Sequence, residues 1–200
     1  MKKFIFLTVL VVLGMTVTIA QTDSNTTTQT DSNTTTFRWG PTAGVNFSGV
    51  TGDDVDNVDS RTGLRIGAVA SIGISEVFSV QPEVVYSMRG WKDGEFTIKI
   101  DYVDVPILAD FEVYDGLSLQ GGPIIGFNIS GEVEGGGNTT DIDNIESVNF
   151  GFAIGAQYEL PVGLFFNLRY DMGFNDVFSG LIDIAAKNCA LAFSMGYYIN

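Results

Sequence analysis

The chain has 200 residues, with 24 Asp and Glu against 10 Lys and Arg, and it contains 24 Gly, one Cys and no His. A net charge of −14 at pH 7 argues against a nucleic-acid-binding protein, which needs a basic footprint. One cysteine excludes an internal disulfide, and the lack of histidine excludes Ser-His and Cys-His nucleophile pairs and His-based metal clusters.

The N-terminus has the layout of a secretory signal peptide. Lys2 and Lys3 precede the apolar stretch 4–13, and the small residue Ala20 ends the segment. We therefore expect residues 1–20 to be a signal peptide; a short N-terminal membrane anchor is the alternative. Without Lys2 and Lys3, 8 basic residues face 24 acidic ones, so the mature charge is near −16.

A tandem repeat of small polar residues follows the predicted cleavage site. The octad TDSNTTTQ is followed by TDSNTTT within residues 22–36. Such a segment buries too little apolar surface to offset the entropy cost of ordering its backbone. We expect residues 21–37 to form a flexible polar tail in the periplasm.

Residues 38–200 divide into eight segments in which large apolar residues alternate with small or polar ones. This period of two is typical of β-strands with two different faces. The predicted strands are 39–48, 64–73, 78–89, 102–112, 117–129, 149–159, 166–174 and 190–199.

The connections between these strands alternate between short and long. The links at 75–77, 114–116 and 161–163 are tight, whereas those near 49–62, 90–96, 130–147 and 175–188 are mostly longer and polar. Short turns on one rim and longer loops on the other are typical of outer-membrane barrels. The sequence therefore predicts an all-β fold, an eight-stranded antiparallel up-and-down transmembrane β-barrel. An even strand count places both termini on the short-turn, periplasmic side.

Two features interrupt the alternation. Pro82, Pro106 and Pro123 fall inside strands, where each removes a hydrogen-bond donor and so predicts a bulge or a local break. In the fourth strand Ile98, Ile100 and Tyr102 are out of phase with the apolar positions that follow, starting at Val103. A bulge near Tyr102 would reconcile the two phases.

Composition decides which face points outward. The polar face consists mainly of Gly, Ser, Asn and Gln with few Lys, which suits a narrow lumen better than the solvent-exposed surface of a soluble lipocalin-like barrel. The apolar face is then expected to contact outer-membrane lipid, with aromatic girdles at both interfaces. The girdle residues are Trp39, Phe78, Phe111, Tyr158 and Tyr197 at the turn rim, and Phe47, Tyr86, Phe127, Phe150 and Phe174 at the loop rim.

Charged residues on the polar face predict an ion-pair network inside the barrel, because buried charges need partners. The network residues are Arg65, Glu83, Arg89, Asp104, Arg169 and Asp171. We expect Glu83, Asp104 and Asp171 to pair with Arg65 and Arg169. A catalytic pair drawn from the inward carboxylates, which include Asp110, Glu112 and Glu159, is the alternative. We favour the structural interpretation, so neither a catalytic residue nor a cofactor is predicted.

Two acidic loops lie on the longer-loop rim. The segment 52–59 is rich in oxygen ligands suited to calcium, yet it lacks the glycine and closing glutamate of an EF-hand. A solvated acidic loop is therefore favoured over a weak cation site. The glycine-rich segment from Gly131 to Asp143 predicts a second mobile, exposed loop.

Several short motifs resemble a known family. They are Gln81-Pro82-Glu83-Val84-Val85-Tyr86-Ser87, Tyr102-Val103-Asp104-Val105-Pro106-Ile107-Leu108, Gly121-Gly122-Pro123-Ile124-Ile125-Gly126, Gly44-Val45-Asn46-Phe47-Ser48 and Arg169-Tyr170-Asp171. Together they resemble the bacterial outer-membrane β-barrel family that includes PorT-like, porin-family small barrels. The resemblance runs from about Arg38 to the C-terminus and implies an eight-stranded barrel in the outer membrane.

Three functions follow for such a barrel. The favoured one is a structural or interaction role in the Gram-negative envelope with a side-chain-filled lumen, since eight strands leave an interior that side chains can fill. A narrow channel or small-ligand site is the second, and an accessory role in protein export, implied by the PorT-like resemblance, is the third. The expected partners are outer-membrane lipids and the barrel-assembly machinery, with no nucleic acid; no specific protein partner is predicted.

Overall fold

The computed structural model describes residues 36–51, 58–142, 145–177 and 187–199. The predicted signal peptide, nearly all of the predicted tail, and most of the acidic segment 52–59 lie outside these residues. In the described part, no helix is long and apolar enough to cross a bilayer.

Nine antiparallel β-strands follow one another along the described chain. They are β1 Phe37–Thr51, β2 Asp59–Gly73, β3 Phe78–Asp93, β4 Phe96–Tyr114, β5 Leu117–Gly135, β6 Asn138–Asp141, β7 Val148–Glu159, β8 Leu164–Asp176 and β9 Lys187–Tyr197. Eight of them, all but β6, pair in a closed ring in which β1 pairs with β9 and β4 pairs with β5. The predicted eight-stranded up-and-down barrel is confirmed, with one short extra strand.

Burial in this barrel is the reverse of that in a soluble protein. Arg65 is 2% exposed, whereas its apolar neighbours Leu64 and Ile66 are 62% and 60% exposed. The same inversion repeats in the other ring strands, because consecutive side chains point to opposite faces of a strand. The apolar face therefore surrounds the barrel, and the polar face lines its lumen.

Small residues on the inner face allow the wall to curve. A Cβ atom added at Gly44 would lie 2.1 Å from the carbonyl oxygen of Phe193, and one at Gly67 would lie 2.2 Å from that of Val84. Only glycine permits so close an approach between neighbouring strands. The high glycine content thus serves the curvature of a narrow barrel.

The wall is taller on one side than the sequence predicted. The β3–β4 link is the two-residue turn Gly94-Glu95, and β5 continues to Gly135 before the turn Gly136-Gly137 leads into β6. Both glycines of the second turn have positive φ, as hairpin turns of this length require. The predictions of a longer link at 90–96 and of a mobile loop at 131–143 were therefore wrong, since each region contains a tight hairpin.

We call this extension the outer arm and define it as residues 96–101 of β4, 130–135 of β5, and all of β6. It projects past the last pair between β5 and β7, which joins Phe127 to Val148. From Glu132 onwards β5 pairs with β6 instead of β7. The arm therefore belongs to the loop rim of the barrel.

The structure also corrects the predicted phase change in the fourth strand. A register shift lies between Asp101 and Tyr102, but the extra residue is Ile129 on β5, which lies between the partners Ser130 and Asn128. β4 itself alternates without interruption, and Ile100 and Tyr102 are buried on the same face as Asp104. The phase conflict arose because the inner face is apolar near the loop rim.

Pro82, Pro106 and Pro123 produce breaks and not bulges. Opposite Pro82, Pro106 and Pro123, the β2–β3, β3–β4 and β4–β5 ladders each lack two consecutive residue pairs, yet the register is the same on both sides of each gap. Each gap reflects the N–H that proline cannot donate.

Candidate functional site in the barrel lumen

The centre of the lumen contains a four-residue cluster of opposite charges. Arg65 Nη1 lies 2.9 Å from Asp171 Oδ2, and Arg169 Nη2 lies 3.0 Å from both carboxylate oxygens of Glu83. Arg65 Nη2 also lies 3.5 Å from Glu83 Oε2. These contacts join β2, β3 and β8 across the interior, so the cluster is a crosslink through the lumen.

A second ion pair extends this cluster toward the loop rim. Arg89 Nη2 lies 2.5 Å from Asp104 Oδ2 and 3.5 Å from Asp171 Oδ2, and its guanidinium lies 5.6 Å from the ring centre of Tyr102. The sequence predicted that Asp104 pairs with Arg65 or Arg169, whereas the structure places it against Arg89. Arg89 and Asp104 lie on the inner faces of neighbouring strands, opposite Ile100 and Val85, so the long arginine side chain reaches the carboxylate along the lumen.

The complete ion-pair cluster comprises Arg65, Arg89, Arg169, Glu83, Asp104 and Asp171, and each of the six is at most 4% exposed. Three positive charges thus meet three negative charges in a space sealed from solvent. A buried charge without a partner costs several kcal/mol, so this balance is a condition for burying the set at all.

A layer of amide side chains separates the ion-pair cluster from the turn rim. Gln120 donates to Asp110 Oδ2 over 2.5 Å, and Asn167 donates to Gln120 Oε1 over 2.5 Å. The Tyr198 hydroxyl donates to Gln81 Oε1 over 2.8 Å and accepts from Gln157 over 3.3 Å. We call these six residues the amide layer. The sequence analysis did not predict that these six side chains contact one another, although the alternation pattern placed them on or beside the inward face.

The turn-rim mouth is covered by a further set of contacts. Arg38 pairs with Glu159, which lies 121 residues further along the chain, and its guanidinium lies 4.5 Å above the ring of Tyr198. The rings of Tyr198 and Phe165 lie 4.6 Å apart beneath this pair. Of the other predicted inward carboxylates, Asp110 belongs to the amide layer, and Glu112, the cross-strand partner of the buried Ser118, is exposed at the end of β4.

The loop-rim mouth is closed by apolar side chains. Val50, Trp91, Ile100, Tyr102 and Val177 form one buried cluster, each at most 7% exposed. Ile98 of β4 packs against it, as do Val58 and Ile145 from the connecting segments. In order from loop rim to turn rim, the described lumen therefore holds an apolar plug, the ion-pair cluster, the amide layer and the Arg38–Glu159 pair.

The ten predicted girdle residues all lie on the outward face. Phe78 and Tyr86 are half-buried between neighbouring side chains, and the other eight are exposed. At the turn rim Phe78 and Phe111 are direct cross-strand partners. Among the described residues, no group of three or more acidic or cysteine side chains has metal-binding geometry.

Comparison with known proteins places this barrel in a family. The sequence profile of the outer membrane protein β-barrel domain matches residues 19–179, which is most of the chain. The chain belongs to this family. No curated protein matches the sequence significantly. Family membership supports a location in the bacterial outer membrane, where the exposed apolar face meets lipid.

Solved structures of small outer-membrane barrels share the fold at low sequence identity. Neisserial surface protein A, NspA, is 13% identical with a TM-score of 0.55, covering 80% of this chain and 96% of its own. The attachment invasion locus protein Ail of Yersinia pestis is 15% identical with a TM-score of 0.52, covering 81% of this chain and 98% of its own. The structure of Ail in complex with the heparin analogue sucrose octasulfate is 13% identical with a TM-score of 0.54, covering 82% of this chain and 99% of its own. At these identities the likeness concerns the fold alone.

Proposed function

We propose that this protein is a closed, non-conducting barrel with a structural or interaction role in the outer membrane. The observation that carries the proposal is the ion-pair cluster, in which Arg65, Arg89 and Arg169 engage Glu83, Asp104 and Asp171 across the lumen. An eight-stranded barrel is only wide enough for its own side chains. A permeating solute would have to separate these charges inside a region of low dielectric constant.

The seals at both mouths support the same proposal. The apolar plug at the loop rim is packed around Trp91 and Val177, and the turn rim carries the Arg38–Glu159 pair over Tyr198. A solute entering from either side would meet packed side chains before reaching the ion-pair cluster. We infer no catalytic role, because Glu83, Asp104 and Asp171 are all engaged by arginine.

The orientation of the barrel is part of the proposal. In a closed ring with an even number of strands, the chain enters and leaves at the same rim, and here that rim carries the short turns 74–77, 115–116 and 160–163. Short turns face the periplasm in bacterial outer-membrane barrels. We therefore place both termini in the periplasm and the outer arm outside the cell, with outer-membrane lipids and the barrel-assembly machinery as partners.

We do not expect this chain to bind the ligand of the Ail complex. Sucrose octasulfate is a polyanion, and the present chain has a net charge of −14. Like charges across an encounter surface slow association and weaken binding. A polyanion-binding role would need a local basic patch; the cations Arg65, Arg89 and Arg169 are buried in the ion-pair cluster.

Electrical recording on planar bilayers tests the proposal. Folded protein, verified by its heat-dependent migration shift on gels, is expected to give no steady conductance at any voltage at which the bilayer itself is stable. A large porin reconstituted in the same way serves as the positive control. Stable, reproducible channels from the folded species would overturn the proposal.

One observation favours a second candidate, a lumen that holds water or a small polar ligand. Asn46 Oδ1, Asn149 Nδ2, Asp171 Oδ1 and Asn188 Oδ1 are buried and lack a hydrogen-bond partner within the described part of the protein. Buried polar atoms are normally satisfied, by water where the protein offers no partner. The same recordings detect the case in which the water forms a continuous path, since such a path gives small single-channel steps that a sealed lumen lacks.

A further inference from the structure

The outer arm ends in a strand edge that no described strand covers. β6 stands last in the strand order of the sheet and pairs on one side with β5, from Glu132–Asp141 to Gly135–Asn138. All four of its residues are exposed. The eight ring strands each have a neighbour on both sides, so among the described strands β6 is the one with an unpaired side.

The hydrogen-bond pattern identifies which backbone groups are available. Ile142 N donates to Gly131 O over 2.9 Å, so the pairs that exchange bonds with β5 include residues 142, 140 and 138. Alternate residues point their N–H and C=O groups the other way. Thr139 and Asp141 therefore direct their backbone groups toward the free side of the arm.

The edge lacks the features with which proteins usually block strand addition. Asn138-Thr139-Thr140-Asp141 contains no proline, no lysine and no bulge, and it has two β-branched residues. Its protective features are the charge of Asp141 and its shortness, which limits any added strand to a few hydrogen bonds. An edge of this kind favours a weak, reversible interaction.

The side chains beside the edge specify the charge of the partner. Glu132 and Asp141 are direct cross-strand partners, so two carboxylates lie side by side on one face of the arm. Glu134 lies on the same face, where Lys99 already pairs with it. Like charges directly opposite each other are destabilising. Lys99 of β4 is the cross-strand partner of Glu132 and pairs with Glu134, so the carboxylate that a cation on a strand beyond β6 would meet is Asp141.

We propose that the free edge of β6 binds an extended, basic segment of another protein as an added antiparallel strand. The segment carries Lys or Arg at alternate positions, beside Asp141 and on the face of the arm that Glu132 shares. A second copy of this chain is disfavoured as the occupant, because two β6 edges would bring their acidic faces together. This inference deepens the interaction role proposed above and rests on it.

Binding of a defined peptide to the folded, full-length protein in detergent micelles tests the proposal. The probe is a ten-residue peptide alternating Lys and Val. Two control peptides accompany it: the same sequence with every second backbone amide N-methylated, and a peptide alternating Glu and Val. We expect the first to bind, the N-methylated form to bind at least about tenfold more weakly, and the acidic peptide not to bind.

Matched variants locate the binding on the edge. Thr139→Pro removes a donor that points away from β5, a position that edge strands tolerate. It is expected to weaken binding of the Lys-Val peptide about fivefold to tenfold, whereas Thr139→Val, which retains the N–H, leaves binding unchanged. Asp141→Asn is expected to weaken binding about threefold to fivefold and to reduce its salt dependence.

Equal binding of the free and N-methylated Lys-Val peptides would overturn the proposal, because it would indicate charge attraction alone. Equal binding to the wild type and Thr139→Pro, or no binding at millimolar peptide, would overturn it as well. Self-association that Thr139→Pro abolishes would identify a second copy as the occupant and would also contradict it. The conductance recordings are independent of these outcomes, so failure of either proposal is distinguishable from failure of the other.

Discussion

Arg65 shows how a single buried side chain holds the lumen together. It is 2% exposed, and it contacts both Asp171 and Glu83, which come from different strands of the wall. Its removal would leave two carboxylates facing each other with only Arg89 and Arg169 to compensate them. The loss of folding free energy on removing Arg65 is therefore dominated by the carboxylates of Glu83 and Asp171, which remain buried without it.

Arg65→Met is expected to destabilise the folded barrel by about 3–5 kcal/mol, as is typical when one partner of a buried ion pair is removed. Urea unfolding in detergent micelles, followed by tryptophan fluorescence and by the gel migration shift, measures this. Lys99→Met, which removes an exposed cation, is the control and should cost no more than about 1 kcal/mol. Adding Asp171→Asn to Arg65→Met restores two charges of each sign, Arg169 with Glu83 and Arg89 with Asp104, and should recover part of the loss. Equal stability of the two single variants would contradict this account.

Glu134 on the outer arm provides a pH-dependent prediction. Its hydrogen bond from Lys99, together with the charge of that lysine, lowers the pKa of Glu134 below the ordinary value of 4.5. Because the folded-state pKa is depressed, the pair stabilises the arm above the unfolded pKa. That contribution is lost as the pH falls through the depressed folded value.

Carboxyl NMR titration of the wild type is expected to show Glu134 titrating below 4.5, and Lys99→Met should return its pKa toward 4.5. Lys92→Met, which removes a different lysine near the arm, is the matched control and should leave the pKa of Glu134 in place. A depressed value that persists in Lys99→Met would show that another group causes it.

At the scale of the strand, Pro82, Pro106 and Pro123 mark a line of missing hydrogen bonds across β2 to β5. Pro82 is the cross-strand partner of Ile107, and Pro106 is the partner of Ile124, so the gaps lie at nearly the same height in the wall. In lipid no water replaces a missing ladder bond. The breaks therefore leave backbone groups that the surrounding lipid cannot satisfy.

Pro106→Val supplies the N–H that the gap opposite Glu83 lacks, and it is expected to stabilise the barrel by about 0.5–1.5 kcal/mol. Urea unfolding measures the change, and amide hydrogen exchange should show greater protection in this part of β3 and β4. Pro161→Val, in the turn between β7 and β8, is the control and should bring no such gain. A less stable Pro106→Val variant would indicate that proline is required by the local backbone conformation.

The ring closure gives the whole molecule two unlike ends. The turn rim carries the two-residue turn Asp115-Gly116 and both ends of the barrel, and the loop rim carries the outer arm and the turn Gly94-Glu95. Insertion in a membrane must place one end in the periplasm and the other outside the cell. The proposed orientation therefore predicts which exposed turn a reagent outside the cell can reach.

Single cysteines introduced in a Cys189→Ser background test this orientation. Glu95→Cys is expected to react with a membrane-impermeant maleimide on intact cells, and Asp115→Cys is expected to react only after the outer membrane is disrupted. Both positions are exposed in the folded protein, so reactivity reports on topology and not on burial. Labelling of Asp115→Cys alone on intact cells would invert the proposed orientation.

The sequence by itself determined the number of ring strands and the assignment of their faces, because alternation with a period of two is a local property of each strand. Inward Arg65 and outward Leu64 are already distinguishable as neighbours in the chain. The Gly136-Gly137 turn also carried a local signal of a hairpin, although its glycine-rich surroundings favoured the interpretation as a loop.

The tertiary structure alone decided which charges meet and where the wall ends. Arg65 and Asp171 are 106 residues apart, and Arg169 and Glu83 are 86 apart, so their pairing depends on ring closure and on the register of strands distant in sequence. The extra residue at Ile129 is visible only when β5 is aligned with β4. Register, closure and the free edge of β6 are relations between strands, and no single stretch of sequence contains them.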